Sequence, residues 1–234
     1  MTMEKVKLLS DFRDYYDHWF DGSDSPFSFS RYSYSGMDRE QALKYLYQIG
    51  FKVPLHGMAK DLYKLKQAEY GDELTLFQDA VWLVVYLDKR SHRGERKLLM
   101  NLKSAMDNYG TCFASEYVFT APSVIHGGLS FRYLKIGQKT FWLQYRSEND
   151  WRSNCGQVSI KVLRQEEDGY HKRIKHPLFA IDFVPSFDGL YAVDFNIAPG
   201  VKGTGVEEIL PAKAAAQEIK GALIFFSGEG RQRQ

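Results

Sequence analysis

Only two cysteines, Cys112 and Cys155, occur in the 234 residues. Their spacing makes neither a zinc site nor a disulfide framework, which excludes a small stapled scaffold and fits a reducing, cytoplasmic compartment. No apolar run approaches membrane-spanning length. The opening Met-Thr-Met-Glu-Lys-Val-Lys leads into no apolar stretch of the kind a signal peptide needs. Charge of one sign is never concentrated, apart from a short Arg231-Gln-Arg-Gln234 end. Lys and Arg number 31 against 29 Asp and Glu, a net charge of +2. That balance makes no case for nucleic acid or a membrane surface as partner. There is no internal repeat and no low-complexity segment. Aromatic residues, in contrast, are abundant, with 15 Tyr and 16 Phe, so core and clefts should be rich in rings. The length suits one large domain or two small lobes with a real core.

The most informative stretch is 179–200. Phe179–Val184 and Leu190–Ile197 read as two strands, joined by a turn built from Pro185, Ser186, Asp188 and Gly189. Side chains alternate faces along a strand. Asp182 therefore shares a face with Ala180 and Val184, while Asp194 and Asn196 share a face away from Val193 and Phe195. Paired in the obvious register, the hairpin gathers Asp182, Asp194 and Asn196 on one face. Like charges opposite one another destabilise a sheet, and buried carboxylates need a partner. A hard divalent cation meets that need: Mg²⁺ takes oxygen ligands, keeps several waters and is commonly shared with phosphates. The alternative is an ordinary amphipathic hairpin with these residues facing solvent.

Elsewhere the pattern alternates helices and strands. Asp38 with Gln41 forms a capping box that opens a helix with Ala42, Leu43 and Leu46 on its apolar face, ended by Gly50. Residues 58–79 point to no clear element. Ala80–Leu87 is a buried strand. The charged loop from Asp88 then leads to a helix predicted over Glu95–Tyr109, and strand, loop and helix together could cradle phosphate. Further strands are expected over Thr111–Phe119, Leu129–Ile136, Thr140–Arg146 and Gln157–Arg164. Arg132, Arg146 and Arg152 would bring guanidinium forks suited to carboxylate or phosphate; solvated cross-strand arginines are the plain alternative. A second capping box, Gly203-Thr-Gly-Val-Glu207, starts a helix interrupted at Pro211 and ended near Gly221. In the aromatic amino-terminal segment a short helix over Asp11–Phe20 and a strand over Phe27–Tyr34 are expected. His18 there reads as an ordinary surface or core histidine.

The hairpin with its Asn196-Ile-Ala-Pro-Gly200 end resembles the carboxyl-terminal metal motif of the ATP-grasp superfamily, an acidic residue on one strand followed by Glu-x-Asn-x-x-Pro-Gly on the next. Asp194 stands where Glu is usual. Phe131-Arg132 through Gly137, then Arg146 and Asp150-Trp-Arg-Ser-Asn154, resembles the family's Asp-x-Arg-x-x-Val-x-Gly … Arg … Asp-Phe-Arg-x-Asn. Looser likenesses precede these in the family's order. Arg39 sits where the first nucleotide-binding lysine is usual, and Tyr86 where a second lysine touches phosphates. Ser115-Glu116-Tyr117 resembles the Gln-Glu-Tyr-Ile segment that holds adenine. The likeness is nearest to amino-acid (glutamate) ligases that modify ribosomal proteins.

The resemblance implies an α+β fold, with two lobes of antiparallel sheet, packed helices and a nucleotide cleft between them. It divides the chain into an amino-terminal segment (1–36), a small pre-ATP-grasp-like region (37–79) and an ATP-grasp-like core (80–234). It implies ATP and Mg²⁺ as cofactors, with Asp182, Asp194 and Asn196 on one or two ions. Arg152, with Arg132, Arg146 and Asn154, would serve the transferring phosphoryl group and the carboxylate. Arg39, Tyr86 and Glu116 would lie against the nucleotide, with Lys89, Arg93 or Lys97 standing in for the missing lysine. The implied reaction joins a carboxylate substrate and an amine, on a small molecule or a protein, through an acyl phosphate. The alternatives are a phosphotransferase on the same site, or a non-catalytic binding module on a degenerate scaffold.

Overall fold

The computed structural model describes residues 37–90, 96–120, 127–166, 174, 178–196, 199–201 and 203–228. The expectations for 1–36, and that for Arg93, lie outside the described residues.

Two antiparallel sheets carry the chain. The first has the order β1-β4-β2-β3, with β1 His56–Met58, β2 Trp82–Tyr86, β3 Lys97–Asn101 and β4 Phe113–Glu116. The second has the order β7-β6-β5-β8-β9, with β5 Leu129–Ile136, β6 Lys139–Ser147, β7 Val158–Glu166, β8 Leu178–Ser186 and β9 Gly189–Asn196. The helices are α1 Arg39–Gln48, α2 Ala59–Tyr70, α3 Leu74–Phe77, α4 Leu102–Tyr109, α5 Val206–Ile209 and α6 Ala212–Gly228. The architecture is α+β, with helices packed on both sheets. β1 lies within residues 37–79 and pairs with β4 of residues 80–234, so the first sheet draws on both stretches. Among the described residues, no helix is long and apolar enough to cross a membrane.

Alternation along the strands of the second sheet gives it two apolar faces. Leu134, Ile136, Phe141, Leu143 and Ala180 pack against Ala215, Ala216 and Ile219 of α6. Tyr133, Trp142, Ile181, Phe183 and Phe195 pack on the other side against Ala42 and Leu46 of α1. The first sheet buries Leu83, Val85 and Ala114 against Leu62 of α2 and Leu102 and Ala105 of α4. Leu43 of α1 joins Val84, Tyr86 and Phe113 of that sheet. α1 is thus a strut between the lobes. Its start is set by the expected capping box, in which Asp38 and Gln41 exchange backbone-to-side-chain bonds of 2.9 Å.

Two sequence expectations are corrected, and one stretch without an assignment gains one. Residues 97–101 form a strand, not the first turns of a helix from Glu95. Leu98, Leu99 and Met100 fit a helical stripe, but pairing with β2 along its whole length wins, as tertiary context commonly overrides local propensity. Arg96, at φ +59°, immediately precedes the strand. Asn101 then caps α4 by accepting a 2.8 Å bond from the Ser104 N–H. The helix N-terminus therefore follows β3 and not the charged stretch after Asp88. Residues 59–70, unassigned from sequence, are a 12-residue helix. Finally, α6 runs through Gly221 to Gly228. A mid-helix glycine costs only about 1 kcal/mol, and burial of Ala215, Ala216, Ile219 and Ala222 on that helix outweighs it.

Gly137 turns β5 into β6 at φ +63°, where an added Cβ would lie 2.5 Å from backbone atoms of Glu218 in α6. Gly137→Ala is expected to destabilise the protein by about 1–3 kcal/mol, the usual size of such backbone strain, measured as a shift of the urea midpoint.

Candidate functional site

A cleft opens between the sheets, lined by Tyr86, Lys97, Ser115 and Glu116 from the first and by Arg132, Asp182, Asp194 and Asn196 from the second. Trp151, Arg152, Ser153 and Asn154 of the β6–β7 loop form a further wall.

The β8–β9 hairpin supplies the carboxylates, and a bulge decides their placement. Near the turn, Ser186 pairs with Gly189 and Phe183 with Ala192. Continued unbroken, that register would put Val193 opposite Asp182. The register shifts between Phe183 and Asp182, so Asp194 faces Asp182 and Asn196 faces Ala180. Bulges re-aim side chains in this way. Val193 is the extra residue, and its carbonyl accepts a 3.3 Å bond from Nη1 of Arg39.

Each carboxylate has a guanidinium partner. Arg132 grips Asp182 with two bonds, Nε to Oδ1 at 2.6 Å and Nη2 to Oδ2 at 2.9 Å. Arg132 also lies over the ring of Tyr145, 4.8 Å from its centroid, and Nη1 donates to the Tyr145 hydroxyl at 3.3 Å. Arg39, at the first turn of α1 and only 4% exposed, forms an ion pair with Oδ1 of Asp194. Burial opposes charge on both partners, yet Arg39 holds the Asp194 carboxyl below its usual range. Asp194 in turn helps keep the Arg39 guanidinium protonated.

Tyr86 and Lys97 are directly paired across β2 and β3. The Tyr86 ring lies under two cations, Arg39 at 5.6 Å and Lys97 at 5.4 Å from its centroid, and its hydroxyl is 3.3 Å from Oγ of Ser115. Burial, helped by the nearby Arg39 charge, pushes the Lys97 ammonium down to about 8. A proton that the unfolded chain holds at pH 8–10.5 is therefore released in the folded one. By linkage the protein should gain stability as pH rises from about 8 to 10.5. Melting curves of the wild type and Lys97→Met across that range test it: the gain should vanish in the variant.

Arg152 is bonded to its neighbour Asp150, Nε to Oδ1 at 2.9 Å and Nη2 to Oδ2 at 2.7 Å. The loop is pinned to the start of β5 by Gly128, whose N–H donates to the Asp150 carbonyl at 2.6 Å. A Cβ on Gly128 would meet backbone atoms of Trp151, Arg152 and Ser153 at 2.4–2.5 Å. Oγ atoms of Ser130 and Ser153 lie 2.6 Å apart. Glu116, on the opposite wall, pairs with Lys66 of α2 at 3.6 Å.

The structure thus brings together Arg39, Tyr86, Lys97, Glu116, Arg132, Arg152, Asn154, Asp182, Asp194 and Asn196. It does not bring in Arg146, which is exposed and points away from the face carrying Tyr145. Nor does it bring in Lys89, which is tied to Asp38 and Glu40 at the start of α1, at 3.2 and 2.9 Å. Sequence reading quoted Ser115 and Asp150 within motifs but gave them no role, and did not single out Tyr145 or Lys66. Only Asp150 carried a local signal, its spacing of two from Arg152.

The donor chemistry suits magnesium in kind, with oxygen ligands on adjacent strands. Among the described residues there is no group of three or more His, Cys, Asp or Glu that could hold a metal. Both carboxylates are already neutralised by arginine, so the set fits one ion brought with a polyphosphate better than a free-standing cage.

No family profile matches the sequence, and no curated protein does. Solved structures do. D-cycloserine synthetase DcsG matches with a TM-score of 0.50 at 13% identity, over 80% of this chain and 70% of that one. A RimK domain protein ATP-grasp from Sphaerobacter thermophilus matches at 0.41 and 13%, over 80% and 66%. A RiPP-associated ATP-grasp ligase from Chryseobacterium gregarium, in complex with ADP and a leader and core peptide, matches at 0.46 and 13%, over 78% and 57%. The chain spans less than two thirds of the length of the last two. At such identities the likeness is one of fold.

Proposed function

We propose that this chain, which has the fold of ATP-grasp ligases, is an ATP- and Mg²⁺-dependent ligase that joins a carboxylate to an amine through an acyl phosphate. The observation that carries the reading is the convergence of Arg132, Arg152, Lys97, Asp182, Asp194 and Asn196 in one cleft between two sheets. Phosphoryl transfer asks a protein for positioning and charge neutralisation more than for covalent chemistry, and this cleft is equipped for that. Asp182, Asp194 and Asn196 would hold Mg²⁺, which would offset the charge of the phosphates. Arg152, beside Asn154 on a pinned loop, would steady the transferring phosphoryl group, and Arg132 the carboxylate. Lys97 supplies, from the paired strand, the cation that Tyr86 does not. The Glu116 stretch would face adenine. The compartment that fits is the cytoplasm.

The test is calorimetric titration of ATP with Mg²⁺ into the wild type and Asp194→Asn, followed by ADP assays over paired carboxylates and amines. ADP release requiring both partners supports the ligase. A phosphorylated acceptor without an amine would identify a phosphotransferase. Tyr86 in the cleft and an arginine on each carboxylate favour one further reading, a non-catalytic binding module. It is supported if ATP binds neither protein.

A further inference from the structure

We propose that the β6–β7 half of the second sheet, on the face that α1 packs against, is a docking surface for this chain's own acidic, aromatic stretch 11–24. This surface lies outside the cleft and does not depend on the nucleotide reading.

Strand register builds the surface. Three cross-strand rows run from Leu129, Phe131 and Tyr133 of β5 through β6 to β7. Alternation puts them on the face that carries Tyr133 and Trp142, away from α6. Their outer positions include Arg146 on β6 and Lys161 and Arg164 on β7, all exposed. Arg164 owes its place to a bulge. The register shifts so that Trp142 faces Arg164 while Leu143 faces Val162, which leaves Leu163 as the extra residue. In unbroken pairing Arg164 would point to the α6 side. Its guanidinium lies instead over the Trp142 ring, 5.6 Å from the centroid. The three rows thus carry three cations and no acidic residue. Arg146, absent from the cleft, belongs to this group. α1 lies over the other half of the face, where the Tyr45 ring is 4.8 Å from that of Phe195 on β9.

Charge, chain path and reach select the occupant. Residues 11–24 hold five aspartates against the single Arg13, a charge of −4 with His18 neutral, and five aromatic rings lie between those aspartates. Arginine receives both kinds of group, carboxylates at its fork and rings against its plane. Met37 packs against the same apolar cluster as Tyr133 and Trp142, so the chain arrives on this face. Asp24 and Met37 are thirteen residues apart, a reach of about 40 Å when extended. Crossing the sheet from β9 to β7 takes only about 20 Å. A tethered stretch also meets the face at a high effective concentration, which an unlinked acidic partner would have to exceed.

The test is carbodiimide cross-linking of the full chain, which joins a lysine amine to a carboxylate in contact with it. Links are mapped by peptide mass spectrometry on a mixture of light- and heavy-isotope protein. Amide links from Lys161 to aspartates of 11–24, within single chains, are expected. Arg146→Glu with Arg164→Glu should lower their yield about fivefold, since each reversal turns an attraction into a repulsion. A yield unchanged by the reversal would overturn the inference. Links joining light to heavy chains would overturn it in favour of a second copy. No link from Lys161 to 11–24 would overturn it and leave the face to an outside acidic partner. The wild-type map decides the matter even where the reversed variant does not fold.

Discussion

Asp194→Ala should destabilise the protein by about 3–5 kcal/mol, the usual cost of removing one partner of a buried ion pair. The reason lies in what remains. Arg39 is 4% exposed, its Nε already lacks a protein partner among the described residues, and without Asp194 its charge keeps the Val193 carbonyl, the Tyr86 ring and the more distant Asp182, but no direct ion pair. Replacing both residues, Arg39→Met with Asp194→Ala, should recover most of the loss, because the buried charge goes with its partner. Urea unfolding of the two single variants and the double variant gives the coupling directly. A loss below 1 kcal/mol in the single variant would mean that water reaches the pair. The pair also predicts acid sensitivity. The Asp194 carboxyl is held below its usual range in the folded state. The associated stability is fully present above the unfolded carboxyl's pKa, about 3.9, and is lost as pH falls below it. The double variant should lack that component.

Lys97→Met should weaken ATP binding roughly 10–100-fold, while Arg146→Ala leaves it within about twofold. Hydrogen bonds to charged groups contribute about 1.5–3 kcal/mol, and 1.4 kcal/mol is tenfold in affinity. Lys97 lines the cleft beside Tyr86; Arg146 is exposed on the other face of β6. Because burial lowers the Lys97 pKa to about 8, wild-type affinity should fall as pH rises above 8, where the free protein loses the proton that phosphates attract. Affinity and stability thus respond to pH in opposite directions, and both responses should disappear in Lys97→Met. Calorimetric titration at pH 7 and pH 9 separates the effects. Equal losses in Lys97→Met and Arg146→Ala would place the nucleotide elsewhere.

Several features of this protein were readable residue by residue. The capping box at Asp38 and Gln41, the turn between β8 and β9, and the β5 strand with its turn at Gly137 depend on neighbours within a few positions. Period-two alternation placed Asp194 and Asn196 together, and the resemblance of residues 131–154 and 179–200 to known motifs pointed to the ATP-grasp fold. Other features depend on distant partners. The stretch 97–101 became a strand because β2 lay open to pair with it. Arg146 turned away from the cleft because Tyr145 faces the side that Arg132 shares.

The bulge at Val193 is the clearest case. The unbroken register, from which the sequence reading expected the carboxylates to meet, would instead have set Asp182 and Asp194 on opposite faces. Their meeting, and the free carbonyl that Arg39 binds, follow from one extra residue whose placement depends on sheet, α1 and cleft together. By itself the sequence determined the residue types at these positions and their alternation along each strand, since residue type and local period are properties of the chain. The tertiary structure alone decided that each carboxylate would meet an arginine, and that Lys97 would stand beside Tyr86. Strand pairing within a sheet sets Arg132 opposite Asp182 and Lys97 opposite Tyr86, and the packing of α1 brings Arg39 to Asp194.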